Sequence, residues 1–312
     1  LKIKARDSAG NVGAEATLDF FIDTVVPGAP PSLTVSPSSP SRIRTPSFTW
    51  GDAVDPAPSS GIDSYQVSVD GAAFSDLGAV KQFAITSPLL DGSHSIKVHA
   101  VDRAGNVGAD STLAFIIDAT PPTEPNNLQR TTSTNNSLPV FTWSASTDAT
   151  SGVAGYDVRV DGGSLVAVTG PTFTVGTALS DGTHSVSVRA RDAAGNTSAF
   201  VILAFVIDAT PPTAPTNVQR TSPSVDTTPT FRWEPSSDAL TGVAGYEVSI
   251  DGGSFVGVGQ TLAYTVPFSQ ALAPGDHTFA VRAVDAADNR SGATSTAFVI
   301  LPAEAVDIVL EP

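Results

Sequence analysis

Apolar and polar residues alternate along most of this chain, in short runs that end at turn-forming residues. One such run places Tyr156, Val158 and Val160 on one side and polar residues on the other. Alternation with a period of two is the pattern of a β-strand with one buried face. No stretch shows the apolar spacing of an amphipathic helix, so the pattern predicts an all-β protein.

Turn signals separate the predicted strands. Asp161-Gly162 follows one strand and predicts a tight hairpin turn, because such turns need positive φ, which glycine adopts without steric cost. The same dipeptide recurs at 70–71 and 251–252. The apolar run 203–207 predicts a last strand, which ends at the prolines of IDATPP because proline cannot continue a ladder.

The whole pattern recurs about every 90 residues. Its clearest landmark is a tryptophan that ends the second strand of each copy, at Trp50, Trp143 and Trp233. This period is too long for a solenoid repeat and fits a complete β-sandwich, which can bury its own core. The sequence therefore predicts tandem seven-stranded antiparallel sandwiches in an end-to-end array.

The repeat boundaries divide the chain into five segments. Residues 1–24 match only the last two strands of a repeat, and an isolated two-stranded hairpin is marginally stable in water. We therefore expect a longer parent protein, or strands added by another chain. Complete sandwiches are expected at 25–118, 119–208 and 209–301. Residues 302–312 depart from the IDATPP pattern and are expected to be a tail or the start of another element.

Composition removes several classes of function. The formal net charge of -15 argues against nucleic acid and anionic membrane as partners, because both bind clustered Lys and Arg. Cysteine is absent, which excludes disulfides, thiolate metal sites and a thiol nucleophile. No apolar run reaches the roughly 18 residues of a membrane span, so we expect no direct membrane insertion by this segment.

The landmark residues resemble the fibronectin type III family, in the bacterial Ig-like forms found in surface and secreted proteins. Trp143 on the second strand, Tyr156 at the start of the third and the run from Leu179 through His184 to VSVRARDAAGN match that family. The resemblance covers essentially the whole chain and implies the sandwich fold and an extracellular or cell-surface location. The family's corner tyrosine is replaced by histidine at 94, 184 and 277, so an imidazole nitrogen must make the corner hydrogen bond or the bond is lost.

Acidic residues are the candidate ligand site. In a seven-stranded sandwich the loops after the second and sixth strands lie at the same pole as the N-terminus. Each repeat carries aspartates at those loops and in its entry linker, and calcium prefers such oxygen ligands. The candidate sets are Asp23, Asp52 or Asp55, Asp102 and Asn106; Asp118, Asp148, Asp192 and Asn196; and Asp208, Asp238, Asp285 and Asn289. The alternative is that each aspartate caps a turn without a metal.

The histidines and aromatic residues favour structure over chemistry. A catalytic base and nucleophile form one constellation, whereas three of the four histidines repeat at one structural position. The fourth, His99, alternates outward and has no counterpart. Exposed aromatic rings could bind carbohydrate, but alternation with polar residues favours core packing for most candidates, which are Phe74, Phe83, Phe173, Phe255 and Tyr264.

Three functions remain open at this stage. The leading interpretation is a non-catalytic extracellular structural array, the stalk or spacer of a prokaryotic surface protein, because proline-containing linkers are stiff. One alternative is an adhesin, surface-layer or filament subunit that associates with itself, by strand addition, or with other surface proteins. The other is a set of accessory domains of a secreted hydrolase. No enzymatic activity is expected, and calcium is the one cofactor considered.

Overall fold

A computed structural model of the chain describes residues 1–303. Within this range every regular element is a β-strand except one short 3-10 turn, Phe268–Gln270. The predicted all-β class is therefore confirmed. No described helix has the length and apolarity needed to cross a membrane. The tail expected at 302–312 falls almost entirely outside the described residues.

The strands follow one another in four groups. The N-terminal hairpin is β1 (Lys2–Arg6) and β2 (Val12–Thr17). The first repeat holds β3 (Thr34–Ser36), β4 (Ser47–Thr49), β5 (Ile62–Val69), β6 (Ser75–Asp76), β7 (Gln82–Ala84), β8 (Gly92–Asp102) and β9 (Ser111–Ile117). The second holds β10 (Asn126–Arg130), β11 (Val140–Ser144), β12 (Val153–Val160), β13 (Val166–Val168), β14 (Thr172–Thr174), β15 (Gly182–Asp192) and β16 (Val201–Ile207). The third holds β17 (Thr216–Arg220), β18 (Thr230–Glu234), β19 (Val243–Ile250), β20 (Val256–Gly259), β21 (Ala263–Thr265), β22 (Gly275–Asp285) and β23 (Thr294–Ile300).

Each complete repeat forms one three-stranded and one four-stranded sheet with the same strand order. In the first repeat the orders are β3-β4-β7 and β6-β5-β8-β9. The second repeats them as β10-β11-β14 and β13-β12-β15-β16, and the third as β17-β18-β21 and β20-β19-β22-β23. The strand pairs of the first and third repeats are antiparallel. The seven-stranded sandwich expected from the sequence is thus the fold that forms.

The chain divides into two compact units. Of the described residues, one contains 1–124, 146–156 and 189–199, and the other contains 125–145, 157–188 and 200–303. The core of the first repeat lies in the first unit, and the core of the third repeat lies in the second unit.

In the first unit, alternate residues of the long strand β8 form the centre of the core. Ile96 and Val98 are fully buried and pack in one cluster with Phe48 of β4 and Phe115 of β9. The Phe48 and Phe115 rings meet edge to face with centroids 5.1 Å apart. Full burial of such side chains contributes about 1.5–3 kcal/mol each, which makes the period-two pattern the main stabilising feature of the sequence.

The second unit contains an equivalent core in the third repeat. Phe231 of β18 and Phe279 of β22 are fully buried, with parallel rings 4.1 Å apart. Phe298 of β23 packs edge to face on Phe231 at 4.9 Å. The same strands carry the core residues in both repeats because the apolar positions recur in the sequence.

A tyrosine hydroxyl fixes the loop after the tryptophan strand. The hydroxyl of Tyr246 accepts a hydrogen bond from the Ser236 backbone N–H at 2.8 Å, and its ring packs edge to face on Trp233. The same bond joins Tyr65 to Ala53 and Tyr156 to Ser146. The tyrosine that recurs in each repeat therefore makes a specific hydrogen bond to the loop as well as packing in the core.

The predicted hairpin turns have the expected backbone. Asp161 has a φ of 51° and Gly162 has a φ of 70°, which are the positive values that this class of turn requires. The equivalent aspartates at 70 and 251 have φ values of 52° and 49°. An aspartate tolerates this conformation at each of the three turns.

Residues 1–24 contain a single hairpin, in which β1 pairs with β2. Its apolar positions are exposed: Leu1 is 63% and Ile3 is 58% accessible. The matching positions of the first repeat, Ile96 and Val98, are fully buried. The hairpin thus carries the same pattern without a second sheet against it.

We predict that Tyr246→Phe destabilises the protein by about 1–3 kcal/mol, because the part-buried Ser236 N–H loses its acceptor. Chemical denaturation followed by tryptophan fluorescence measures the change. Tyr264→Phe is the matched control, since this half-buried tyrosine of the same repeat packs on Phe279 and its hydroxyl accepts no backbone N–H among the described residues. Equal effects of the two substitutions would contradict the assignment.

Candidate functional site

The structure brings the predicted aspartates together in three acidic clusters. In each, one carboxylate oxygen from each of three aspartates lies within 4.8 Å of the others. The first acidic cluster is Asp23, Asp55 and Asp102; the second is Asp118, Asp148 and Asp192; the third is Asp208, Asp238 and Asp285. Of the two candidates left open in the first repeat, Asp55 lies in the cluster, whereas Asp52 pairs with Lys81 at 2.8 Å.

Three separate elements supply each cluster. In the second, Asp118 follows the end of β9, Asp148 lies in the loop after β11, and Asp192 ends β15. The third cluster draws its members from the equivalent places, after β16, after β18 and at the end of β22. The loops and the linker meet as the sandwich topology predicts.

In the second and third acidic clusters the linker aspartate is the most buried member. Asp118 is 0% exposed; its Oδ1 accepts from the Thr120 N–H at 3.1 Å, and its Oδ2 accepts from the N–H and the hydroxyl of Ser151. Asp208 is equally buried and is bonded in the same way to Thr210 and Thr241. Each of these side chains joins the linker to a loop of the repeat that follows.

The loop aspartate places most of its bonds on one oxygen. Oδ1 of Asp148 accepts from the N–H groups of residues 150, 151 and 152, and Asp238 does the same for 240, 241 and 242. In the first repeat Asp55 instead uses Oδ2, which accepts from Ser59 and Gly61. Its buried Oδ1 has no hydrogen-bond partner among the described residues. These contacts are turn caps that leave acceptor capacity on the second oxygen.

The predicted asparagines contribute N–H groups to the clusters. The Nδ2 of Asn196 donates to Asp192 Oδ2 at 2.7 Å and to the Asp118 carbonyl at 2.8 Å. Asn106 and Asn289 make the corresponding pairs of bonds. The asparagine therefore links the last hairpin turn to the linker, and it presents its nitrogen to the carboxylates.

Each cluster concentrates the negative charge of three aspartates. Basic side chains of the described residues pair with other carboxylates, among them Asp91, Asp110 and Glu247. Three carboxylates this close together repel one another, and hydrogen-bond donors or a bound cation would offset that repulsion. A set of oxygen ligands of this kind suits a hard cation such as calcium.

A further carboxylate binds each of the linkers 118–123 and 208–213, and the sequence interpretation missed it. Asp181, in the loop before β15, accepts from the Ala209 N–H at 2.8 Å and from the Thr210 hydroxyl. Asp91 makes the same pair of contacts with Ala119 and Thr120. We call these contacts the linker clamps. The sequence does contain a signal for these clamps. Asp91-Gly92 and Asp181-Gly182 each occur in a repeat that ends in IDAT, whereas the third repeat has Pro274-Gly275 at the equivalent position and continues after Ile300 as LPA, without a threonine.

Every backbone N–H group from 208 to 213 donates a hydrogen bond. Asp208 donates to the Thr134 carbonyl, Ala209 to the clamp, Thr210 to Asp208 Oδ1, and Thr213 to the Ser237 carbonyl, while the two prolines between them have no N–H. The linker 118–123 shows the same set of bonds. These linkers are specifically bonded segments, and their order does not come from proline alone.

The repeated histidines make the corner contact. His184 Nδ1 lies 2.7 Å from Asp161 Oδ2, its Nε2 lies 2.8 Å from the Ser180 carbonyl oxygen, and its ring stacks on Phe205. The equivalent residues are His94 with Asp70 and Leu90, and His277 with Asp251 and Ala273. An imidazole nitrogen thus replaces the tyrosine hydroxyl as the group that binds the backbone.

His99 and the aromatic candidates have other surroundings. His99 lies on the outward side of β8 but is 7% exposed, because Phe74 stacks on it at 4.1 Å. Phe255 carries the Arg282 guanidinium 4.0 Å from its ring centre. The remaining three candidates, Phe83, Phe173 and Tyr264, are half-buried. The aromatic rings considered as a carbohydrate platform therefore occupy unlike environments.

Comparison with known proteins gives one family match and several relatives. Residues 126–209 match the family model of the bacterial Ig-like domain. An alignment that covers 60% of this chain is 35% identical to Chitinase A1 of Niallia circulans. Alignments that each cover 88% of this chain are 33% identical to Exoglucanase A and 32% identical to Exoglucanase B, both of Cellulomonas fimi.

The chain spans only part of each relative: 27% of the chitinase, 32% of Exoglucanase A and 25% of Exoglucanase B. Among solved structures, the FN1–FN3 domains of chicken CNTN1 align with 88% of this chain and 99% of theirs, at 14% identity and a TM-score of 0.40.

We predict that Asn196→Ala lowers the free energy of unfolding by about 1–3 kcal/mol in the presence of EDTA, because the Asp118 carbonyl and the buried Asp192 carboxylate both lose a donor. Urea denaturation measures the loss. Asn126→Ala, at an exposed position of β10, is the control and should change stability little. If both variants unfold like the wild type, the asparagine does not hold the linker.

Proposed function

Residues 126–209 are a bacterial Ig-like domain, and the repeats before and after it share its strand order; from this premise we propose that the chain is a non-catalytic spacer. In this proposal it belongs to a secreted polysaccharide-degrading enzyme, in which it serves as a set of accessory domains. Its place is outside the cell, and catalysis resides in other parts of such a protein.

The observation that carries this proposal is the range of relatives that share the stretch. Similar sequence occurs in a protein named as a chitinase and in proteins named as exoglucanases, and it makes up a third or less of each. A part common to enzymes that act on different polymers does not select the polymer. Separation and orientation of domains are functions that every such enzyme could use.

The side-chain chemistry of the repeats supports the same proposal. The histidines at 94, 184 and 277 have both ring nitrogens engaged in structural contacts. The linkers have their N–H groups satisfied by the clamps, by the buried linker aspartates and by main-chain carbonyls. Recurrent residues thus maintain the repeats and their connections.

We also propose that the acidic clusters bind calcium. Each places three carboxylates within reach of one ion, and the second oxygen of the loop aspartate retains acceptor capacity. An ion would remove the repulsion among buried carboxylates and strengthen the contact between linker and loop. Turn capping without an ion is the rival explanation.

Self-association remains the competing function, with this chain as an adhesin, surface-layer or filament subunit that binds its own copies or other surface proteins. Strand addition at the exposed hairpin 1–24 would be its route. The two functions differ in the molar mass expected in solution.

A spacer should leave polysaccharide untouched. We predict that the purified chain releases no reducing sugar from cellulose or chitin, stays in the supernatant when either is sedimented, and has a monomer's molar mass by light scattering from micromolar to high concentration. Hydrolysis or co-sedimentation would contradict a passive role. Oligomers that grow with concentration would favour the assembly function.

Calcium should raise the melting temperature, because a ligand that binds only the folded state stabilises it by about 2.7 kcal/mol at 100 times its Kd. The double variant Asp148→Asn, Asp238→Asn should lose the part of this shift that comes from the second and third acidic clusters and keep only the part from the first. In EDTA it should be at least as stable as the wild type, because asparagine keeps the Oδ1 acceptor and removes a repelling charge. Glu124→Gln, at an exposed position, is the control. Identical wild-type melting in calcium and EDTA would refute the calcium sites and leave the spacer proposal standing.

A further inference from the structure

The three corner histidines share an arrangement that only one protonation state satisfies. Nδ1 of each ring lies 2.7 Å from an aspartate oxygen, and Nε2 lies 2.8 Å from a main-chain carbonyl oxygen. Carbonyl and carboxylate oxygens only accept hydrogen bonds, and a neutral imidazole has a single N–H. Both contacts are hydrogen bonds only when the ring is a cation.

The aspartates are held as anions. Asp161 Oδ1 also accepts from the Ser185 N–H at 2.7 Å, and Asp70 and Asp251 accept in the same way from residues 95 and 278. Burial acts to raise the pKa of Asp161, but the bonds from His184 and Ser185 outweigh it and lower that pKa. The shared proton therefore resides on the imidazole.

The charged groups around each ring mostly favour the cation. For His184 and His277 the aspartate bond is the main cause that raises the pKa above its ordinary value of 6.5, and Asp276 adds to the effect at His277. For His94 burial opposes the charge, yet the bonds to Asp70 and to the Leu90 carbonyl raise the pKa.

Two arginines lie over the phenylalanines on which the histidines stack, and their charge opposes the cation. Arg130 lies 5.9 Å from the Phe205 ring, and Arg220 lies 5.6 Å from the Phe298 ring. Near His94, Arg44 is paired with Asp91 at 2.9 Å. The hydrogen bonds from each imidazole to its aspartate and carbonyl oxygens are shorter than the distances from these arginines to their phenylalanine or aspartate partners. The cationic form of the histidine is therefore still favoured.

The histidine also holds the loop that carries the linker clamp. Nε2 of His184 binds the carbonyl of Ser180, and the next residue, Asp181, clamps Ala209 and Thr210. His94 binds the carbonyl of Leu90, which precedes the clamp residue Asp91. In the third repeat His277 binds Ala273 before Pro274, so this repeat has the corner contact without a clamp.

We propose that these histidine–aspartate pairs form a pH-sensitive latch, in which protonated His94 and His184 hold the linker clamps closed and their deprotonation loosens both the sandwich corners and the linkers. A folded-state pKa above the unfolded one gives stabilisation that is complete below about 6.5 and is lost as pH rises through the raised value. The chain should therefore be most stable under mildly acidic conditions and lose stability from neutral to alkaline pH.

Nuclear magnetic resonance of the full chain tests the latch directly. The ring signals of His94, His184 and His277 should titrate with midpoints above 6.5. The amide protons of Ala119 and Ala209 should shift with the same midpoints as His94 and His184, because the clamps follow the rings. The third repeat is an internal control in which His277 titrates without a linker amide that follows it.

Two variants keep the test independent of misfolding. Asp161→Asn preserves the shape of the side chain and removes its charge, so it should lower the His184 midpoint and leave those of His94 and His277 unchanged. The triple variant His94→Gln, His184→Gln, His277→Gln should lose the fall in melting temperature between pH 6 and 9 that the wild type shows. Ring midpoints at or below 6.5, or clamp amides that do not follow the rings, would overturn the proposal.

Discussion

Carboxylates that accept linker N–H groups are the interaction on which the order between repeats depends. The segment IDATPPT has few donors, because two of its residues are prolines, and any N–H that is buried without a partner costs stability. Asp181 satisfies one of them from the preceding repeat, and Asp208 satisfies another while it binds Thr241 of the following one. The linker is thereby held by hydrogen bonds to the repeats on both sides of it.

This arrangement has an electrostatic consequence. The linker aspartates lie with two other aspartates at one end of each sandwich, where one oxygen of each of the three carboxylates is within 4.8 Å of the others. In the two proposals, calcium at the clusters and protons on the corner histidines would each offset negative charge near the connections between repeats. The cores of Phe48 and Phe231, by contrast, are apolar.

Local patterns in the sequence predicted the fold and much of the candidate site. Period-two alternation, Asp-Gly turns and the recurring tryptophan define strands and repeats, because these depend on neighbours along the chain. The topology of a sandwich then placed Asp118, Asp148 and Asp192 together. The choice between Asp52 and Asp55 needed three-dimensional information, since only the structure shows that Asp52 forms an ion pair with Lys81.

The contacts that sequence reasoning missed join residues far apart in the chain. His184 and Asp161 are 23 positions apart, and Asp181 and Thr210 are 29 apart, so no local pattern connects them. Comparison among repeats could have found the clamps, because Asp-Gly and IDAT occur together in two repeats and are both absent at the end of the third. The role of Asn196 as a donor also depends on side-chain orientation, which composition does not specify.

The most direct measurement is the backbone order of the linkers by nitrogen-15 relaxation, compared with the strands on either side. If carboxylates hold the linkers as described, the amides of Ala119, Thr120, Ala209 and Thr210 will have order parameters near those of rigid backbone, about 0.85. Values below about 0.6 at these four amides, with the strands still rigid, would show that the linkers are flexible and that the bonds described for them do not persist in solution.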